Sequence, residues 1–421
     1  MKDKLIIGLD IGSSAIRVAV GQITTNEDKS LDLSLVGAAE VKSEGISKGS
    51  VSSLEDAVSV ISTALDQAER VIGLPISEVY PNIGGAQVKV QDATGVIGVS
   101  RADKTIRAED IERSIEAAKT YAQEPNYEII HLLPTSFILD DQSDIKDPLG
   151  MQGVRLESQV KVIQGLANHS KNITQAIFRA NVDIAEFVYT PLASAEAVLS
   201  KKEKDLGVCL INIGASTTSM AVYENGELVY ATVLLMGSDH ITSDLVYTLR
   251  TSFDVAEKLK RARGHANPKL FKSQDQINLS EFGADSDEVI KIPFIAEVIE
   301  ARVEEFFEKI EEKLKEIGRS GMLPAGIVLT GGGAKLPGIT EVARRIFHLP
   351  AEIGSVKIKS SVPELIQDPV FSTAVGLVKW GYENEKEYSS HSSGLFRGGK
   401  TNGVVLKISN SLKKIFKSFI P

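Results

Sequence analysis

Sulfur chemistry is nearly absent from this sequence: Cys209 is its single cysteine, so no intrachain disulfide can form. That residue lies in the apolar run "GVCLINI" and reads as a buried structural thiol rather than a reactive one. Aromatic residues are sparse at 6%, with one tryptophan, Trp380. No stretch approaches the ~18 consecutive apolar residues of a membrane span. The opening "MKDKLIIGLDIG" has too short an apolar segment for a secretory signal. Basic charge is not in excess either. Lysine and arginine number 47 against 56 acidic residues, a net charge of −9, which argues against nucleic-acid binding. The expectation is a cytosolic protein of ordinary globular composition, 43% hydrophobic and 24% charged. Its 421 residues suffice for two or more domains.

What is present is an internal repeat. "LDIGSSAIRVAV" (Leu9–Val20) and "INIGASTTSMAV" (Ile211–Val222) align without gaps, with five of twelve positions identical. Each reads as strand, Gly/Ser turn, strand, followed by further strand and long helical patterns. Two domains of one duplicated design, about 200 residues apart, are expected. Gly12 and Gly214 let a ligand approach the backbone without a Cβ clash. The hydroxyls of Ser13, Ser14, Ser216, Thr217 and Thr218, with the turn amides, offer donors to phosphate oxygens. The plain alternative is a pair of tight β-hairpins, whose turns are also Gly/Ser-rich.

A third element weighs against that alternative. In "GIVLTGGGAKLPGITEVARRIF" (Gly326–Phe347) a β-rich run ends in Gly331, Gly332 and Gly333, and an amphipathic helix follows. Its apolar residues Ile339, Val342 and Ile346 are spaced i, i+3, i+7. Glycines between a strand and a helix N-terminus suit a nucleotide, though the pattern is not that of a Rossmann domain.

Two Gly/Ser hairpins and a late glycine turn form the site plan of actin-like ATPases. The whole chain resembles the FtsA family of bacterial division proteins within that superfamily. The matching stretches are "SFILDDQSDIKDPLGMQGVRLE" (Ser136–Glu157), "PLASAEAVLSKKEKDLGVCLINIG" (Pro191–Gly214) and "HITSDLVYTLRTSFDVAEKLKRARGHA" (His240–Ala266). "VLTGGGAKLPGI" (Val328–Ile339) and "FSTAVGLVKW" (Phe371–Trp380) complete them. The resemblance implies an α/β protein with an actin-like duplicated ribonuclease H-type fold and an inserted α+β subdomain. Residues 1–83 and 164–190 would form the first half, and 84–163 the insert. Residues 191–382 would form the second half, its upper subdomain spanning about 231–300. Within the insert, "AQVKV" and "GVIGV" read as two strands, Asp110–Ala122 as a helix, and "EIIHLLP" and "VRLESQVKVI" as strands.

Carried over by position, the resemblance implies ATP and magnesium. Asp10 would hold the metal through water and serve as the catalytic carboxylate. Gly12, Ser13, Ser14, Asn212, Gly214, Ala215, Ser216 and Thr217 would surround the phosphates. Glu257 and Lys260 would contact the adenosine, and Gly331, Gly332 and Gly333 would flank adenine and ribose. The chain also departs from the pattern. Asn212 replaces a usual Asp, Ser219 an acidic residue, and Ser238 a glycine. Thr190 stands where chaperone-type relatives orient the attacking water with a Glu. Asn neither carries charge nor acts as a base, so hydrolysis is expected to be weak or absent.

The implied function is a protein that polymerises with itself on the inner face of the cytoplasmic membrane at the division site. There it would tether filaments of the tubulin-like FtsZ by their tail peptide and help recruit later division proteins. Lys258, Lys260, Arg261, Arg263, Lys269 and Lys272 make a local basic patch that could steer an acidic peptide, with Arg261 and Arg263 as its centre. "ENEKEYSSHSSGLFRGGKTNG" (383–403) reads as a flexible linker. "VVLKISNSLKKIFKSFIP" (404–421) has four lysines and no acidic residue. On a helical wheel Val405, Ile408, Leu412, Ile415, Phe416, Phe419 and Ile420 share one arc. Lys407, Lys414 and Lys417 lie opposite, and Lys413 flanks it. This is the pattern of a helix lying in an anionic membrane interface. A pilus-assembly module like PilM would not carry such a tail. A sugar or acetate kinase of the same fold would need a base and substrate pocket for which no motif is seen.

Overall fold

The computed structural model describes residues 4–25, 31–285, 287–356, 358–361 and 366–391. The run "KLIIGLDI" is apolar on both faces, and a strand of that kind belongs inside a sheet. Lys4–Ile11 is accordingly central in the first sheet. Ala15–Thr25 and then Leu31–Lys42 follow it antiparallel on one side, and Glu78–Ile83 pairs with it in parallel on the other. The second sheet repeats this path. Val208–Ile213 is central, Thr218–Glu224 and Glu227–Leu234 follow antiparallel, and Ile327–Thr330 lies parallel on the far side. Register places Ile11 opposite Ile16 and Ile213 opposite Thr218. The loops 12–15 and 214–217 therefore hold equivalent places, as the sequence repeat requires. Cys209 is fully buried in the second core, and burial pushes its thiol far above the usual range, so it is inert.

Between Ile83 and Ala167 an antiparallel sheet of four strands is covered by the helix Ala108–Ala122. It has a core of its own around Ile111, Ile115, Ala118, Leu156 and Val160. The two strands expected at "AQVKV" and "GVIGV" are one, Val88–Gly98. Gly95 does not end the strand. It brings it under the helix, where a Cβ would sit 1.8 Å from the Ser114 carbonyl oxygen.

In the second half the helices Ser238–Leu249, Phe253–Arg263 and Ile292–Glu316 and the hairpin Gln276–Asn278/Val289–Lys291 rise above the sheet. The late α-helix is Ile339–Phe347, with Ile339 and Val342 buried as the spacing predicts. It does not start at the three glycines, because a 3-10 turn, Gly332–Lys335, intervenes.

The last helix, Ser372–His391, runs on past Tyr382, where the sequence reads as a linker. Its Glu, Asn and Lys residues are compatible with a helix. Two side chains dock that extension: Asn384 donates to Glu186 at 2.9 Å, and Glu385 pairs with Lys4 at 2.5 Å. The rest of the expected linker and the amphipathic segment 404–421 lie outside the described residues. Among the described residues no helix is long and apolar enough to cross a membrane.

Two helices pass between the halves, Thr190–Val198 and Ser372–His391, and they cross backbone to backbone. A Cβ on Gly376 would lie 1.7 Å from the Ala193 carbonyl oxygen. Gly376→Ala is expected to force the helices apart and to destabilise the protein by about 1–3 kcal/mol. Urea unfolding of variant and wild type checks this, and an unchanged midpoint would refute the crossing as described.

Candidate functional site

The loops 12–15 and 214–217 are hairpin turns, and both face one cavity between the halves. Asp10, Gly12, Ser13, Ser14, Asn212, Gly214, Ala215, Ser216, Thr217, Gly331 and Gly332 all line it. The two turns share a construction: a Cβ on Gly12 would meet the Ala15 carbonyl at 2.7 Å, and one on Gly214 the Thr217 carbonyl at 2.9 Å. Gly331 has φ +82 and passes over the Asn212 amide, where a Cβ would lie 2.3 Å from Oδ1. Gly333 is not in the lining; it packs on Ile213 below. Thr218 donates to the Met236 carbonyl at 2.8 Å and so serves the fold.

The lining is uncharged except for Asp10 and Arg17. Burial pushes the Asp10 carboxyl up to about 6, against the lowering effect of Arg17, while Glu40 raises it further. Asn82 holds this carboxylate, donating to Oδ1 at 2.9 Å and accepting from the Ile11 amide at 2.7 Å. Arg17 is anchored to Glu40 at 2.7 Å. Among the described residues no group of three or more acidic, histidine or cysteine side chains could hold a metal. A buried carboxylate facing a pocket of amides and hydroxyls is nevertheless suited to magnesium that brings phosphates and water as its other ligands.

Asn212 uses its amide hydrogens away from that carboxylate. It donates to Ser194 at 2.8 Å and to Thr373 at 3.2 Å, one residue on each connecting helix. Thr190 is likewise engaged, donating to the Ile83 carbonyl at 3.1 Å and accepting from Asn82 at 3.2 Å. Neither residue supplies a base.

Glu257 and Lys260 do not line the cavity. They form an ion pair at 2.6 Å behind the start of the helix Ser238–Leu249, with Lys260 also donating to the Ser238 carbonyl and to Thr242. That helix is tied to the second hairpin, Ser238 and Asp239 donating to the Gly214 and Ala215 carbonyls at 2.9 Å. Lys260 is buried, which removes it from the basic patch, whereas Lys258, Arg261, Arg263, Lys269 and Lys272 are exposed.

Sequence reasoning missed Asn82 and Arg17. The available signal was a polar side chain inside an apolar strand, "VYPNI" and "AIRVAV", where burial demands a partner. A second cavity, about 250 Å³ against about 100 Å³, lies between the first half and the insert, lined by Gln87, Asn126, His169 and Asn172 among others. Burial holds the His169 imidazole below its ordinary pKa, and no carboxylate or cation joins it there. Size alone does not make it the site.

Residues 209–376 match the family model described as cell division protein FtsA, and residues 85–164 that of the SHS2 domain inserted in FTSA. The chain is 33% identical over 389 residues to the cell division protein FtsA of Pseudomonas aeruginosa, with 92% of each covered. Against that of Bacillus subtilis it is 35% identical over 384 residues, 91% of this chain and 85% of the relative. The Escherichia coli protein gives 31% over 388 residues, 90% and 91% covered. Among solved structures, the PilM–PilN type IV pilus biogenesis complex aligns with TM-score 0.64 at 17% identity, covering 89% of this chain and 98% of that one. MreB5 of Spiroplasma citri bound to ADP aligns with TM-score 0.52 at 14% identity, covering 92% and 99%. At such identities these two show a shared fold, the actin-like one that the repeated sheets describe. The chain belongs to the FtsA family of actin-like cell-division proteins.

Proposed function

We propose that this FtsA-family protein binds ATP with magnesium in the cleft between its halves and acts as a nucleotide-gated scaffold. In this reading it polymerises on the inner face of the cytoplasmic membrane, holds FtsZ filaments there and helps bring in later division proteins. The observation that carries the reading is the pair of matched hairpins facing one cavity with a single buried carboxylate. Their amides and hydroxyls would take the phosphates, Arg17 would add one positive charge, and Asp10 would hold magnesium through water. Magnesium when bound neutralises phosphate charge. The kinase alternative is disfavoured by the lining, in which Asp10 is the one carboxylate. The exposed Lys258, Arg261 and Arg263 support docking of an acidic partner peptide on the second half.

A proton competes with magnesium for Asp10. Magnesium-dependent ATP affinity is therefore expected to be constant above the carboxyl's value of about 6 and to fall about tenfold per pH unit below it. Asp10→Ala should abolish that dependence and weaken binding. Calorimetry between about pH 7 and pH 5 checks both, and a flat wild-type profile would refute the role given to Asp10.

Wild-type turnover should be slow. Asn212→Asp is expected to raise magnesium-dependent hydrolysis without weakening ATP binding, measured by phosphate release. The same turnover in both proteins would count against Asn212 as the limiting residue.

Membrane attachment is proposed to rest on residues 404–421. The four lysines there contribute about 1 kcal/mol each near an anionic surface, besides apolar burial. Phe416→Glu places a charge in the apolar arc and should release the full chain from vesicles of anionic phospholipid. Equal sedimentation of variant and wild type would exclude the tail as the anchor.

A further inference from the structure

We propose that the segment 186–190 is a strap that transmits the state of the cleft to the inserted subdomain and to the last helix. The inference rests on the nucleotide reading of the cleft. At one end of the strap, Thr190 accepts from the same Asn82 amide group that donates to Asp10. The Thr190 carbonyl accepts from Ser194 at 3.0 Å, and Ser194 accepts from Asn212. Thr190 thus touches the polar networks of both hairpin strands. Val188 and Tyr189 pair in parallel with Asn82 and Ile83, so the strap and the strand carrying Asn82 move together.

One residue away the connection leaves the cleft. The Tyr189 amide donates to Nε2 of His131 at 3.1 Å, across a separation of 58 residues in the chain. His131 is buried and stands on the insert strand Tyr127–Leu139. Because Nε2 accepts, a neutral ring carries its proton on Nδ1, which lies 3.8 Å from the Glu186 carboxylate. Glu186, at the other end of the strap, accepts from Trp380 Nε1 at 3.2 Å and from Asn384 at 2.9 Å. The His131 and Trp380 rings meet at 5.0 Å between centroids. Within five consecutive positions the chain therefore touches the cleft, the insert and the last helix through buried or part-buried hydrogen bonds.

These contacts would couple because leaving a buried amide without its acceptor is destabilising. A shift of Thr190 that followed a change at Asp10 and Asn82 would carry the Tyr189 amide with it. Keeping that acceptor would require His131, and with it the Trp380 ring tilted against it, to follow.

Trp380 is the one tryptophan of the chain, so its emission reports on this one position, where Glu186 and His131 meet the last helix. The full-length protein is titrated with magnesium and a non-hydrolysable ATP analogue while emission is followed. Binding is recorded separately by calorimetry in the same buffer. Wild type is expected to show a saturable change in emission that tracks the calorimetric curve. His131→Phe keeps a ring against Trp380 but removes the acceptor for Tyr189. It should lose most of the change while affinity moves by no more than about tenfold. Hydrogen exchange of the Tyr189 amide in wild type is the second reading, with protection expected to change on binding. Heat of binding with neither an emission nor an exchange response overturns the strap, as does a full emission response in His131→Phe. Absence of heat would overturn the nucleotide reading and the strap with it.

Discussion

The contact of Gly376 with the Ala193 carbonyl governs this molecule. A helix crossing made of backbone against backbone leaves no soft side chain to absorb movement, and a Cβ at that point would sit 1.7 Å from oxygen. The same helix passes the first sheet just as closely, where a Cβ on Gly8 would lie 2.2 Å from the Ala374 carbonyl. Ser194 and Thr373 stand beside this crossing, and they are the two hydroxyls to which Asn212 donates. The polar contacts of Asn212 are thus made beside a backbone-tight crossing of the connecting helices.

Charge in the cleft is kept low for a reason that follows from burial. Asp10 is already pushed to about 6, with Arg17 nearby to hold it down. A second buried carboxylate in the same cavity would raise it further. Asn212 avoids that repulsion and in exchange supplies two donors that bind the helices together. Its amide adds no charge and ties both connecting helices to the second sheet.

The insert is more than an appendage of the first half. It has its own core, yet its strand Tyr127–Leu139 reaches His131 to the Tyr189 amide next to the cleft. On its far side Lys146 donates to the Asn225 carbonyl in the second half at 2.8 Å. Burial pushes the neighbouring Glu227 carboxyl up to about 7 despite the Lys146 charge. The insert therefore contacts both halves.

Local chemistry was legible in the sequence. The paired Gly/Ser turns between apolar strands, the helix from Ile339 and the buried setting of Cys209 follow from patterns of a few residues, because turn geometry and one-sided burial act over that range. Asp10 follows from the family resemblance rather than from local pattern, and the fold places it with both turns on one cavity. Other features were decided only by the folded chain. Asn82 reaches Asp10 from 72 positions away, and Trp380 reaches Glu186 across 194. Glu257 and Lys260 share a helix face as their spacing requires, yet the packing of Ser238–Leu249 puts that face behind the cavity wall. The last helix continues beyond Tyr382 because Glu186 and Lys4, distant in sequence, hold Asn384 and Glu385. Strand and turn preferences are properties of neighbours in sequence, whereas partners for buried polar groups are chosen by which surfaces the fold brings together.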